Sequence, residues 1–234
     1  MTANDVKTAL QKHASDSDAI NLSWFFKTGE GEYGEGDQFI GVRMPIIRKV
    51  CREFTLLPIS EVAALIESPI HEHRMSGLII LMRQYKTNQK AVYDLYLHQL
   101  DKGTINNWDL VDVTCRDIIG EYARTHSTDI LFQLAKKGLW HKRTAMVSCF
   151  AWLRRGEVGP TLELAGILWP ERHDLLQKAV GWMLREMGKR VDEQLLLNFL
   201  DTHAHEMPRT ELRYAIERLD TATRTRYMQQ RKED

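Results

Sequence analysis

The sequence predicts an all-α protein, a superhelix of stacked helical repeats (an α-solenoid), and three observations lead there. Apolar residues recur at three- and four-residue spacing in MSGLIILMRQY, VYDLYLHQL, DIIGEYA, AMVSCFAWLRR and AVGWMLREM, the periodicity of a helix with one buried face. No stretch shows the convincing apolar–polar alternation of a half-buried strand. Helix starts recur near His71, Asn107, Trp140, His173 and Pro208, at steps of 36, 33, 33 and 35 residues. A period of that size belongs to two-helix solenoid repeats.

Taken from the N-terminus, MTANDVKTALQKHASDSD is polar and of mixed charge. It lacks the basic-then-apolar pattern of a signal peptide and reads as mature sequence. Residues 28–37, TGEGEYGEGD, hold four glycines and four acids and must form a loop. Glycine-rich loops can cradle phosphate through bare amides, but four carboxylates would repel it, so a shaped surface loop is expected. The prolines at 45, 58, 69, 160, 170 and 208 fall at helix starts or between helices. Ser60–Glu61 and Asp129 look like helix-start chemistry. The 234 residues, 43% of them apolar, suffice for one domain over 1–234 with a sizeable core. No apolar run approaches the roughly 20 residues of a membrane helix. Cys51, Cys115 and Cys149 are odd in number and far apart, with no CxxC pair, as in a reduced, cytoplasmic protein.

Formal net charge is zero, so any anion-binding surface must come from charge gathered on one face rather than from bulk charge. Residues 1–70 carry 7 Lys/Arg against 10 Asp/Glu, and the remainder 25 against 22. The first turns of the repeating helices place Arg74, Asp109, Arg143, Lys178 and Arg213 at separations of 35, 34, 35 and 35. Equal phase in stacked repeats means one common face. Arg74, Arg143, Lys178 and Arg213 are therefore expected to form a basic stripe suited to a nucleic-acid backbone. The competing reading is an ordinary solvated face.

Trp108 and Asp112 are four residues apart in NNWDLVDVT and share a helix face. Trp182 follows Lys178 by four, as Asp112 follows Asp109 by three, so both should lie about a turn deeper than the basic row. Two indoles and a carboxylate around one cleft would attract a cation, each indole by roughly 0.5–2 kcal/mol. From spacing alone the same residues also read as core tryptophans and an Asp that favours its helix dipole.

The segments FIGVRMPIIRKV, NNWDLVDVTCRDIIGEY, LWHKRTAMVSCFAWL, LLQKAVGWMLREMGK and MPRTELRYAIERL together resemble the AlkD-like DNA alkylation repair family, in its order and spacing over most of residues 39–219. The loop TGEGEYGEGDQFIGVR is typical of many members as well. The resemblance implies a HEAT-like helical-repeat fold that grips duplex DNA in a concave, basic groove. It implies a DNA glycosylase that hydrolyses the N-glycosidic bond of N3- and N7-alkylated purines in double-stranded DNA, a step of base excision repair, without metal or other cofactor. By the same resemblance the catalytic Asp falls on Asp112, the cleft tryptophans on Trp108 and Trp182, and the groove Arg on Arg143. The family often has a Tyr in its second helix near the groove. Here SWFFKTG offers Phe25 or Phe26, without the hydroxyl, and Trp24 as a packing substitute.

Other signals are weak. The pairs His71/His73 and His203/His205 stand two apart, so their side chains diverge on a helix, and no nearby cysteine completes a tetrahedral metal site. No P-loop, Rossmann or nucleophile-elbow fingerprint occurs. Trp140, Trp152 and Trp169 read as packing residues at repeat junctions. The alternative to the enzyme is a catalytically silent repeat module that binds DNA structures or protein partners. The intact Trp108/Asp112/Trp182 set favours the enzyme, for which a monomer suffices.

Overall fold

The computed structural model describes residues 1–230, and every regular element among them is helical. Strand-like pairing there is confined to one isolated bridge between Gln38 and Ile70. The chain divides into two compact units, Met1–Thr114 and a second beginning at Cys115.

The first unit holds α1 (Ala3–Gln11), α2 (Asp16–Phe25), α3 (Met44–Glu53), α4 (Ile59–Ile66), α5 (His71–Gln84), α6 (Gln89–Lys102) and α7, which runs Trp108–Cys115. Its helices start where the local chemistry satisfies unpaired N–H groups. The Thr2 hydroxyl accepts from Asp5 N (3.3 Å) while the Asp5 carboxylate accepts from Thr2 N (2.7 Å), closing a capping box. Ser15 caps α2 and Asn88 caps α6 through the side-chain oxygen alone, accepting from Asp18 N and Ala91 N. α4 starts one residue before Ser60, at Ile59 behind Pro58, so Ser60 lies inside the helix and makes no cap. α5 is the hub. Its residues from His71 to Leu81 are buried, and it packs against α1, α3, α4 and α6.

The second unit opens with a π-helical turn at Arg116–Gly120 and continues through α8 (Glu121–Thr125), α9 (Asp129–Leu134), α10 (Leu139–Ser148), α11 (Phe150–Leu153) and α12 (Thr161–Leu168). It closes with α13 (Asp174–Arg190), α14 (Glu193–His203), α15 (Arg209–Ala215) and α16 (Thr221–Gln229). α13 is its long central helix, packed by α10, α11, α12, α14 and α15. α15 lies close enough that a Cβ on Gly181 would fall 2.3 Å from the Glu211 carbonyl oxygen. Only glycine allows that approach.

The five repeating helix starts read from the sequence correspond to α5, α7, α10, α13 and α15, each within one residue. Trp152 is a core residue, whereas Trp140 and Trp169 keep part of their surface. The three cysteines are buried thiols. No described helix is long and apolar enough to cross a membrane.

Candidate functional site

Within the first unit the site grows from α7. Trp108 opens the helix, and its backbone N–H is capped by the side-chain oxygen of the preceding Asn107 (2.8 Å). Asp112 follows one turn later and keeps part of its surface exposed, as does Trp108. The Trp108 ring lies on Phe26, with ring centres 5.4 Å apart and 29° between planes, and meets the edge of Phe25 at 6.0 Å and 70°. Its indole Nε1–H donates to the Tyr33 hydroxyl (3.1 Å). These are offset and edge arrangements that aromatic pairs favour.

A charged cluster underlies those rings. His71, at the head of α5, bonds Asp37 through Nδ1 (3.0 Å) and Asp109 through Nε2 (2.8 Å). Arg74, one turn on, pairs with Asp37 (2.6 Å). Two carboxylates and two cations are thus buried together with matched charge, the condition under which buried ions are tolerated. Burial opposes the imidazolium, but the charge and hydrogen bond of Asp109 and the bond to Asp37 outweigh it and raise His71 to about 9. For Asp37, burial is overcome by the His71 hydrogen bond and by Arg74, and its carboxyl falls to about 2. Phe26 and Phe39 stack on the His71 ring at 5.0 and 4.7 Å, placing electron-rich faces against a cation.

A cavity of about 530 Å³ opens beside this cluster among α2, α3 and α5, with Phe25, Phe26, Met44, Met75, Glu72 and Asp109 in its walls. Glu72 is committed to structure. Its carboxylate accepts from the backbone N–H groups of Ile40, Gly41 and Val42 at 2.9–3.2 Å.

In the second unit, Trp182 stands on α13 with part of its surface exposed. Its ring centre lies 6.5 Å from that of Phe150, and the guanidinium carbons of Arg116 and Arg190 sit 5.5 and 4.8 Å from the Phe150 ring centre.

The basic residues require a correction. The expected stripe of presented charge is not what α5 and α10 offer. Arg74 is 6% exposed and spends its charge on Asp37. Arg143 is 5% exposed and donates to the Leu175 carbonyl. Both are drawn inward because a buried acceptor faces each of them. Lys178 is partly exposed and ion-paired with Asp174 at 2.6 Å, and Arg213 is exposed. The expectation that Trp24 substitutes in packing also fails. Trp24 is 83% exposed and Phe25 54%, while Phe26 turns inward. α2 brings no hydroxyl to Trp108, whose indole N–H is met by Tyr33 of the loop.

Sequence reasoning missed Tyr33, Asp37 and the His71–Asp109 bond. The signal for them was faint: one aromatic and one terminal acid in a loop otherwise read as solvated. His71 and His73 point to different partners, Asp37 with Asp109 and Ser68 respectively. Among the described residues no group of three or more His, Cys, Asp or Glu side chains is arranged to hold a metal ion.

Among solved structures, the chain is similar to a predicted DNA alkylation repair enzyme from Enterococcus faecalis, with 16% identity, a TM-score of 0.71, and coverage of 89% of this chain and 98% of that one. At that identity the likeness shows the shared all-α repeat fold. No curated protein matches the sequence. The model of the DNA alkylation repair enzyme family matches residues 6–219, nearly the whole chain, and the protein therefore belongs to that family.

Proposed function

We propose that the protein is a DNA glycosylase that releases positively charged N3- and N7-alkylated purines from double-stranded DNA. The observation that carries this reading is the family match over residues 6–219, within which Trp108 and Asp112 stand a turn apart on α7 with part of their surfaces open.

The chemistry suits those residue types. Alkylation at N3 or N7 leaves the purine cationic, so it departs as a neutral base and takes the electrons of the C1′–N bond with it. Positive charge then develops on the sugar. In this reading the Asp112 carboxylate lies near C1′, stabilises the oxocarbenium-like transition state and orients the water whose oxygen joins C1′ as its proton leaves. Trp108 contacts the sugar and the cationic nucleotide through its indole face, and Trp182 is the second candidate indole, on α13. Lys178 and Arg213 hold phosphates. Arg74, committed to Asp37, and Arg143, buried and donating to the Leu175 carbonyl, are left out of that set.

The test is release of 7-methylguanine and 3-methyladenine from alkylated duplex DNA. Removing one preorganised charge from a transition state typically costs about 100-fold or more in rate. Asp112→Asn should therefore lose about that much while DNA affinity stays near that of the natural protein. An Asp112→Asn protein of full activity sinks the assignment. No release by the natural protein, together with salt-sensitive binding, points instead to a catalytically silent module that binds DNA structures.

A further inference from the structure

We infer that Tyr33 is a positioning residue, and that the acidic glycine-rich loop over 28–37 exists to hold its hydroxyl against the indole N–H of Trp108. The inference rests on the glycosylase reading for what Trp108 does, but the positioning itself stands on geometry within the first unit.

Both ends of the loop are anchored. At its start, the Lys27 carbonyl accepts from Gly34 N across the loop (3.0 Å). A Cβ at Gly34 would lie 2.3 Å from the Phe26 carbonyl oxygen and 2.9 Å from that of Lys27, so any other residue would push the loop off the end of α2. Its last residue, Asp37, is buried and fixed by His71 and Arg74. The following residue completes the clamp: His71 N donates to the Gln38 carbonyl (2.8 Å). Between these anchors Tyr33 reaches Trp108, 75 residues away in sequence.

Three contacts then restrict the indole. Phe26 supports one face, Phe25 meets it edge-on, and the Tyr33 oxygen takes the N–H. Ring stacking alone permits the indole to slide or flip. A directed hydrogen bond at one edge selects a single orientation. An indole that contacts a reacting sugar contributes only when its ring is already in place. The loop's remaining acids, Glu30, Glu32 and Glu35, are exposed and keep this face of the loop in water.

The experiment uses the full chain labelled with ¹⁵N. Its six tryptophans yield six indole N–H resonances, and that of Trp108 is identified by its loss in Trp108→Phe. Tyr33→Phe removes only the hydroxyl. It should move the Trp108 resonance and speed its exchange with solvent, while the other five stay in place and the melting temperature barely changes. On alkylated duplex DNA, the single-turnover rate of base release should fall about 2- to 10-fold, the range for one neutral hydrogen bond, with DNA affinity unchanged. In a Trp108→Phe background the same substitution should cost nothing further, since coupled residues do not add. An unmoved Trp108 resonance overturns the inference. So does a loss from Tyr33→Phe that is the same with or without Trp108. If the natural protein releases no base, the glycosylase reading fails, and the indole spectrum alone decides the positioning.

Discussion

His71 donates to a carboxylate from each ring nitrogen, and that arrangement sets how stability should respond to pH. Its folded value of about 9 lies above its ordinary 6.5. The stabilisation is therefore whole below pH 6.5 and is lost as pH rises through 9. Asp37 runs the other way. Its folded value of about 2 lies below 3.8, so its contribution is whole above pH 3.8 and is lost as pH falls toward 2. Denaturant titrations at pH 6 and pH 9 should show the protein less stable at the higher pH. His71→Leu should cost about 3–5 kcal/mol at pH 6, the range for breaking a buried ion pair, and should remove the His71 share of the alkaline loss. A His71→Leu protein as stable as the natural one at pH 6 would show that the cluster contributes nothing. Trp108 and Asp112 are the residues whose spacing was legible beforehand. Their surroundings were not, because Asp37 and Tyr33 reach the site from a loop.

At the scale of elements, α13 and α15 form the most extensive helix pairing of the second unit, and Gly181 lets them approach closely. That closeness encloses Glu211 completely, at 0% exposure, and neither of its carboxylate oxygens has a hydrogen-bond partner among the described residues. Burial pushes its carboxyl up to about 9. Glu211 is therefore neutral in the folded protein at pH 7 and ionised in the unfolded chain. A raised folded value means stability is highest below 4.5 and declines as pH rises toward 9. Glu211→Gln keeps the shape and removes the titration. Its melting temperature should gain on that of the natural protein progressively from pH 5 to pH 8. Parallel curves for the two proteins would show that Glu211 is ionised in the fold. Glu211 was one of several polar residues in MPRTELRYAIERL, and nothing local marked it as enclosed.

For the whole molecule, a formal charge of zero means that DNA affinity must come from a few well-placed cations. With Arg74 spent on Asp37 and Arg143 on the Leu175 carbonyl, two candidates remain: Lys178 and Arg213. If each neutralises one phosphate, log affinity against log salt should fall with a slope of about −2, since each contact contributes roughly −0.9. Lys178→Ala should reduce that slope by about 1 and weaken binding to all sequences alike. Binding that does not change with salt would remove these residues from DNA contact. An absence of DNA affinity would favour a scaffold for protein partners.

The helical class, the repeat period and the place of each repeating helix start to within one residue were all legible in the chain's residue spacing. Also legible were the departure of residues 28–37 from helical structure and the helix that Trp108 and Asp112 share. All of these are written in spacings of three or four residues, or in the backbone demands of glycine and proline, and local steric and hydrogen-bonding rules read them directly. Tertiary structure alone decided which arginines point inward, that His71 sits between Asp37 and Asp109, 34 and 38 residues away, and that Tyr33 meets Trp108. Helical phase places an arginine on a face but does not say whether a buried carboxylate or carbonyl waits there. The free energy of a charge depends on what surrounds it, and those neighbours come from segments that only packing brings together.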